Sequence, residues 1–282
     1  MLNRKSEFYN RLWVSSIAIS IAALLIGFAY TPGINILLVL TIALLTGIGV
    51  WEYARLAKAK GLEPATKLMI SVAILEVLAF YVSLAYPQWS QLALLIIVLG
   101  FISFFVVHFR KPENALMQVA VEFFSVCYVA IPFSFMMAIL YPRTDYGDGR
   151  WWLFYLIAVT KITDVGGYFV GKLFGKHPLA PYLSPRKTVE GAVGGFCFAI
   201  GLSMLFCIWG RAVGWELSFW NAAWMGMVIG VLAQIGDLSE SVLKRDASVK
   251  DSNTIPGIGG VLDLLDSILF TSPVVYFFIR FI

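Results

Sequence analysis

Charge is scarce in this 282-residue chain: Asp, Glu, Lys and Arg make up only 13% of it, about half the ~25% typical of soluble domains. Histidine is scarcer still, with only His108 and His177. Neither lies in an acidic cluster, so no nucleophile–histidine pair is expected. The cysteines are three, Cys127, Cys197 and Cys207, and all fall in apolar stretches. An odd number without metal-ligand spacing argues against a disulfide framework or a zinc centre, and they read as small buried hydrophobes. The net charge is only +4, and no stretch resembles a basic arm for nucleic acid. Internal repeats and low-complexity segments are absent.

What the chain has in excess is apolar surface. Sixty per cent of residues are hydrophobic and mean hydropathy is +0.82. Water could not solvate that surface, whereas lipid can, provided the backbone bonds itself within helices. A helical span needs about 20 mostly apolar residues. About nine such runs occur, at 12–30, 34–50, 68–86, 92–109, 115–141, 151–170, 192–209, 219–236 and 259–281. The expected fold is therefore all-α, a polytopic membrane helical bundle. The basic N-terminal stretch lacks a small-residue cleavage site and reads as the flank of a retained first span. The fifth run is long enough to tilt or bend at Pro132. Five spans fall in residues 1–150 and four, with the larger loops, in 151–282.

Basic residues alternate between the two sides. One set of loops holds Arg4, Lys5 and Arg11, then Arg55, Lys58, Lys60 and Lys67, then Arg110 and Lys111. It continues with Lys172, Lys176, Arg186 and Lys187, then Lys244, Arg245 and Lys250. The other side holds Arg143, Arg150, Arg211 and Arg280, and Lys161 lies inside a span. Cytoplasmic loops carry such an excess, so the N-terminus is expected in the cytoplasm. Most tryptophans lie near predicted span ends, as interfacial rings do. Within the first five spans only Glu76 and Glu122 stand out as internal charges. From Lys161 onward, ionisable groups gather at the cytoplasmic ends of spans.

Four constellations carry candidate chemistry. Lys161, Asp164 and Tyr168 are spaced i, i+3, i+7 on one helix face. They read either as a self-neutralising pair locking two helices or as a carboxylate facing a polar cavity. The loop 175–191 contains Ser184, Pro185, Lys187, Thr188 and Glu190. Its Ser-Pro pair predicts a helix start, with amides, cations and hydroxyls suited to a phosphate; the bland alternative is a basic loop that fixes topology. Asp237, Glu240, Ser241 and Lys244 form one polar stripe leaving the eighth span, readable also as a solvated helix end. Finally come Lys250, Asp251 and Ser252, then a glycine-rich approach to Asp263 and Asp266. Two carboxylates at i, i+3 repel unless a cation lies between them, although a helix N-terminus also attracts carboxylates through its dipole. Hard oxygen donors beside phosphates are the usual company of Mg²⁺.

These four segments, in this order across roughly 160–275, resemble the phosphatidate cytidylyltransferase (CDP-diacylglycerol synthase) family. The resemblance rests on Asp164-Val-Gly-Gly-Tyr168, Ser184-Pro-Arg-Lys187-Thr188-Val-Glu190-Gly191, Gly236-Asp237-Leu-Ser-Glu240-Ser241 and Ser241-Val-Leu-Lys244-Arg245. It continues with Lys250-Asp251-Ser252 and Pro256-Gly257-x-Gly259-Gly260-x-x-Asp263-x-x-Asp266-Ser267. In the first half only Trp51-Glu52-Tyr-Ala-Arg55 is similar. Many family members carry histidine where this chain has Ile258 and arginine where it has Leu264. The resemblance implies transfer of a cytidylyl group from CTP to phosphatidate, giving CDP-diacylglycerol and pyrophosphate. It implies catalytic roles for Asp237, Lys244, Asp263 and Asp266. Substrate contacts are expected from Ser184, Lys187, Thr188, Glu190, Glu240, Ser241, Arg245, Lys250 and Asp251. Asp263, Asp266, Asp237 and Asp164 are the expected ligands of Mg²⁺, with room for a second cation. Partners are CTP, phosphatidate and membrane lipids, not nucleic acid, and a homodimer is the family's suggestion. The expected place is a bacterial inner membrane, with the site facing the cytoplasm. A CTP-dependent polyprenol kinase, a secondary transporter and an inactive scaffold are the rival functions.

Overall fold

The computed structural model describes residues 20–142, 147–212, 215, 217–249 and 260–281. Residues 20–27 are helical, and the rest of the first expected span lies outside the described residues. Among the described residues, eight helices that follow are long and apolar enough to cross a membrane, the third counted with the short turn that precedes it. They are α1 (Ile34–Ala59), α2 (Thr66–Ala85), α3 (Leu92–His108), α4 (Ala115–Leu140), α5 (Gly149–Phe174), α6 (Val189–Ala212), α7 (Phe219–Asp246) and α8 (Val261–Phe281). The fold is the all-α polytopic bundle expected from hydropathy, and the chain is an integral membrane protein. Leu95, Val98, Leu99, Ile102, Phe105 and Val106 all lie exposed on α3. An apolar face of that extent is unsustainable in water and ordinary against acyl chains.

Two features depart from the sequence reading. The irregularity in α4 is a π-helical turn over Val126–Ala130, just before Pro132 rather than at it. Proline has no N–H for the carbonyl four residues back and its ring crowds that carbonyl. A wide turn ahead of it absorbs the mismatch. The Ser184-Pro185 pair does not start a helix. Ser184–Thr188 is a strand, β2, paired antiparallel with β1 (Pro178–Ala180), with Pro178 opposite Thr188 and Ala180 opposite Ser184. A two-stranded ribbon is all edge, where proline is tolerated. The helix begins instead at Val189, and Thr188 caps it, its Oγ1 accepting from Gly191 N at 3.1 Å.

Contacts divide the chain into two compact units, one comprising residues 1–137 and 246–264, the other 138–245 and 265–282. In the first, α2 and α3 meet where Val72 fills the space a Cβ on Gly100 would need, 2.4 Å away. Three carboxylates are buried there, Glu52, Glu76 and Glu122. In the second, α5 and α6 approach backbone to backbone: a Cβ on Gly195 would lie 2.6 Å from the Thr163 carbonyl oxygen. Gly236 brings α7 equally close to α8, 2.6 Å from the Asp266 carbonyl oxygen by the same measure. Only small residues allow such approaches between membrane helices. At the other end of this unit Trp152, Tyr155, Phe206 and Trp215 form an aromatic cluster.

The cysteines follow this logic only in part. Cys207 is buried, its Sγ donating to the Leu217 carbonyl at 3.0 Å, but Cys127 is half-buried and Cys197 is exposed. Lipid accepts a small thiol on the outside of a helix, so an apolar run does not place its cysteine inside.

Candidate active site

The second unit gathers charge from four separate segments. On α5, Lys161 Nζ lies 3.3 Å from Asp164 Oδ2. The i, i+3 pair foreseen as self-neutralising therefore forms, yet both side chains stay about one-third exposed. Lys187, from the end of β2, forms an ion pair with Asp237 of α7. Asp237 follows Gly236, and the close packing of Gly236 on α8 sets it beside Asp266. Asp266 is 4% exposed, and its Oδ1 accepts from Ser267 N at 2.5 Å and from Ser267 Oγ at 3.1 Å. Asp237, Lys161 and Asp164 all act on it electrostatically, and Lys187 and Asp237 act on Asp164. Three carboxylates and two ammonium groups thus share one neighbourhood, and three of those five side chains are accessible enough to change partners.

The remaining predicted residues divide. Lys244 Nζ donates to Glu240 Oε2 at 2.7 Å, and Glu240 is buried. Ser241, half-buried, follows Glu240 on the same helix. Arg245 Nε donates to the Leu183 carbonyl at 3.0 Å, so the turn of the ribbon is held against the end of α7. Ser184 and Thr188 are strand residues of that ribbon, Thr188 also being the cap of α6. Glu190 was expected to touch substrate. Its Oε2 accepts from Lys176 N and His177 N at 3.1 and 3.2 Å, and its Oε1 lies 2.6 Å from His177 Nδ1. It clamps the base of the ribbon, and His177 is its partner in doing so. Tyr168 is exposed beside Phe169 and Lys172. Asp263 stands one turn before Asp266, its Oδ2 3.4 Å from Gly260 N, the back-reaching bond of an acidic residue at the third helical position. Lys250, Asp251 and Ile258 lie outside the described residues, and Leu264 is exposed.

Among the described residues, no group of three or more His, Cys, Asp or Glu side chains is close enough to hold a metal ion. The donors are nonetheless of the right type, because carboxylate oxygens are what a hard divalent cation takes. Two of the three carboxylates in the cluster are held by ammonium groups, which stand in for the positive charge the carboxylates require. The residue that sequence reasoning missed is Glu52, which caps α8 from α1. A carboxylate within an apolar run was the signal that could have found it.

Fold and site together define a polytopic membrane protein with a cluster of lysines and aspartates in its second unit. The chain belongs to the cytidylyltransferase family, whose model matches residues 10–282. It is 30% identical to a phosphatidate cytidylyltransferase of Chlamydia pneumoniae over 290 residues, covering 97% of this chain and 92% of that protein. A phosphatidate cytidylyltransferase of Chlamydia trachomatis is 43% identical over 158 residues, 54% of this chain and 52% of the relative, so that match spans about half of each. One from Staphylococcus haemolyticus is 35% identical over 179 residues, 63% of this chain and 65% of the relative.

Proposed function

We propose that this chain transfers the cytidylyl group of CTP to phosphatidate, forming CDP-diacylglycerol and pyrophosphate in a bacterial inner membrane, with its site on the cytoplasmic side. The observation that carries this is the cluster of Lys161, Asp164, Lys187, Asp237 and Asp266, within a chain matched along nearly its whole length to the family. In the reaction a phosphate oxygen of the lipid bonds to the α-phosphorus of CTP, and the bond from that phosphorus to the leaving pyrophosphate breaks. The nucleophile is already an anion, so no strong base is required. The obstacle is the meeting of two polyanions, and it is overcome by positioning and neutralisation.

Lys187 and Lys161 are the cations best placed to exchange a carboxylate for a phosphate oxygen, and Asp237 and Asp164 hold them in readiness. Lys244 and Arg245 on α7, with Lys250, complete the phosphate-binding set, and Ser184, Thr188 and Ser241 supply hydroxyl donors. Asp237, Asp263, Asp266 and Asp164 would hold Mg²⁺, which when bound supplies charge neutralisation at the triphosphate. The test is incubation of the purified protein with phosphatidate, CTP and Mg²⁺, with both products identified. CDP-diacylglycerol and pyrophosphate in equal amounts are expected. Release of CDP with a phosphorylated lipid would identify a kinase instead, and solute uptake into vesicles without CTP would identify a transporter.

A further inference from the structure

Glu52 sits on α1 in the first unit, 1% exposed, and both of its carboxylate oxygens are used. Oε1 accepts from Val261 N at 3.0 Å and Oε2 from Leu262 N at 2.8 Å. Those are the first two residues of α8. The leading N–H groups of a helix have no partner within it, and the usual remedy is a side-chain oxygen from the residue just before. Here that residue is Gly260, which has no side chain to offer, so the cap comes from 209 residues away in sequence. The helix so capped carries Asp263 next after Leu262, and Asp266 one turn on.

Position along a helix fixes direction, since each residue turns by about 100°. A rotation of the first turn of α8 by one residue's worth would swing the Asp263 and Asp266 carboxylates by that angle. Glu52, bonded to the Val261 and Leu262 amides, pins that rotation. We infer that Glu52 is a positioning residue that sets the start of α8 and thereby aims Asp263 and Asp266 at the cation and the triphosphate. This rests on the roles proposed above for those two aspartates. A carboxylate is required because two N–H donors face it. A glutamine would meet one of them with its own N–H₂, donor against donor, while keeping the volume of the side chain. The neighbouring carboxylate Glu76, as deeply buried, accepts from Ser134 at 2.9 Å and serves as the control.

The experiment compares full-length wild type, Glu52→Gln, Glu52→Asp and Glu76→Gln, each purified as folded protein in detergent. Hydrogen exchange across 260–267 is followed without substrate. CDP-diacylglycerol formation is then measured against Mg²⁺ and CTP concentration, per mole of folded protein. In Glu52→Gln the amides of the first turn of α8 exchange about 10-fold faster or more, the scale of a lost hydrogen bond to a charged group. The half-saturating Mg²⁺ concentration rises about fivefold or more, and excess Mg²⁺ restores much of kcat. Glu52→Asp falls between Glu52→Gln and wild type, and Glu76→Gln moves neither reading. Wild-type exchange and Mg²⁺ dependence in Glu52→Gln would overturn the inference. So would a loss of folded protein with unchanged Mg²⁺ dependence, the mark of a merely structural cap. If neither Glu52 variant accumulates, unprotected Val261 and Leu262 amides in the wild type overturn it and protected ones support it. A wild type that makes no CDP-diacylglycerol at all defeats the proposed function, while the exchange data still decide the cap.

Discussion

Three buried carboxylates of the first unit and two accessible ones of the second are held in opposite ways. In the first, Glu52, Glu76 and Glu122 are each essentially inaccessible and held by groups that cannot leave. Glu52 takes two backbone amides, Glu76 a serine hydroxyl, and Glu122 the Ala65 amide together with His108 Nε2. In the second unit, Asp164 and Asp237 are partly exposed and paired with the lysines Lys161 and Lys187. A buried carboxylate bonded to fixed donors is a structural pin. One paired with a mobile cation at an accessible surface can exchange that cation for a ligand. Charges in membrane proteins tend to be functional; access and a lysine partner set Asp164 and Asp237 apart from the pins, whereas Asp266, as buried as the glutamates, is set apart by its charged neighbours Asp237, Asp164 and Lys161.

The comparison breaks first on Asp266. Asp266→Asn removes a charge from the working cluster, and turnover is expected to fall by about 10²–10³-fold, as when one preorganised electrostatic stabiliser is deleted. Glu76→Gln, the corresponding change at a pin, should leave turnover within about twofold and register only in stability. Assays of CDP-diacylglycerol formation on folded, membrane-inserted protein decide this. Near-normal turnover in Asp266→Asn would remove Asp266 from the centre.

Lys187 comes next. Lys187→Met removes the partner of Asp237 and one proposed phosphate contact. A charge-assisted bond contributes about 1.5–3 kcal/mol, so kcat/KM for CTP should drop about 10–100-fold. Lys161→Met should act in the same direction. A variant at Lys60, whose exposed pair with Asp246 belongs to the first unit, should change nothing measurable. Equal losses at Lys187 and Lys60 would mean that overall charge, not the cluster, is what matters.

The hydrophobic runs made the spans legible because lipid imposes one rule, a self-bonded backbone of sufficient length. The four charged segments were legible as separate motifs for the same reason: a charge near a span end needs an explanation. Their joining was not legible. Nothing in the spacing of Lys187 and Asp237, 50 positions apart, announces an ion pair. Nor did Ser184-Pro185 reveal a strand, since proline serves a ribbon edge as well as a helix start. Nor did the spacing reveal that Glu190 bonds the backbone amides of Lys176 and His177. Glu52 was visible as a carboxylate beside an apolar run, but its role was not, because a cap supplied from a distant helix leaves no signature at the helix it caps.

Smaller effects should come from the packing that brings the cluster together. Gly195→Ala would place a methyl group 2.6 Å from the Thr163 carbonyl oxygen, a backbone atom that cannot swing away. Overpacking of this kind costs about 1–3 kcal/mol, visible as a lower melting temperature in detergent. Gly201, on the same helix, has nothing within 4 Å of its would-be Cβ. Gly201→Ala should be neutral or stabilising by about 0.5–1 kcal/mol through helix propensity. If the two alanines behaved alike, close approach would not be the reason for glycine at 195.

The smallest effect is expected at the ribbon. His177 is largely exposed, and its ring nitrogen is only one of three groups on Glu190, the other two being backbone amides. His177→Ala should therefore leave the clamp closed, because exposed ion pairs of this kind are weak. KM for CTP should rise by about twofold at most, with kcat unchanged. Glu190→Ala removes all three bonds and frees the base of the ribbon, where Lys187 stands beside Thr188. Its KM for CTP should exceed that of His177→Ala, and protease should cut within 176–188 more readily. Matching kinetics and matching cleavage in the two variants would show that the ribbon is held by its turn, through Arg245 and the Leu183 carbonyl, and not by Glu190.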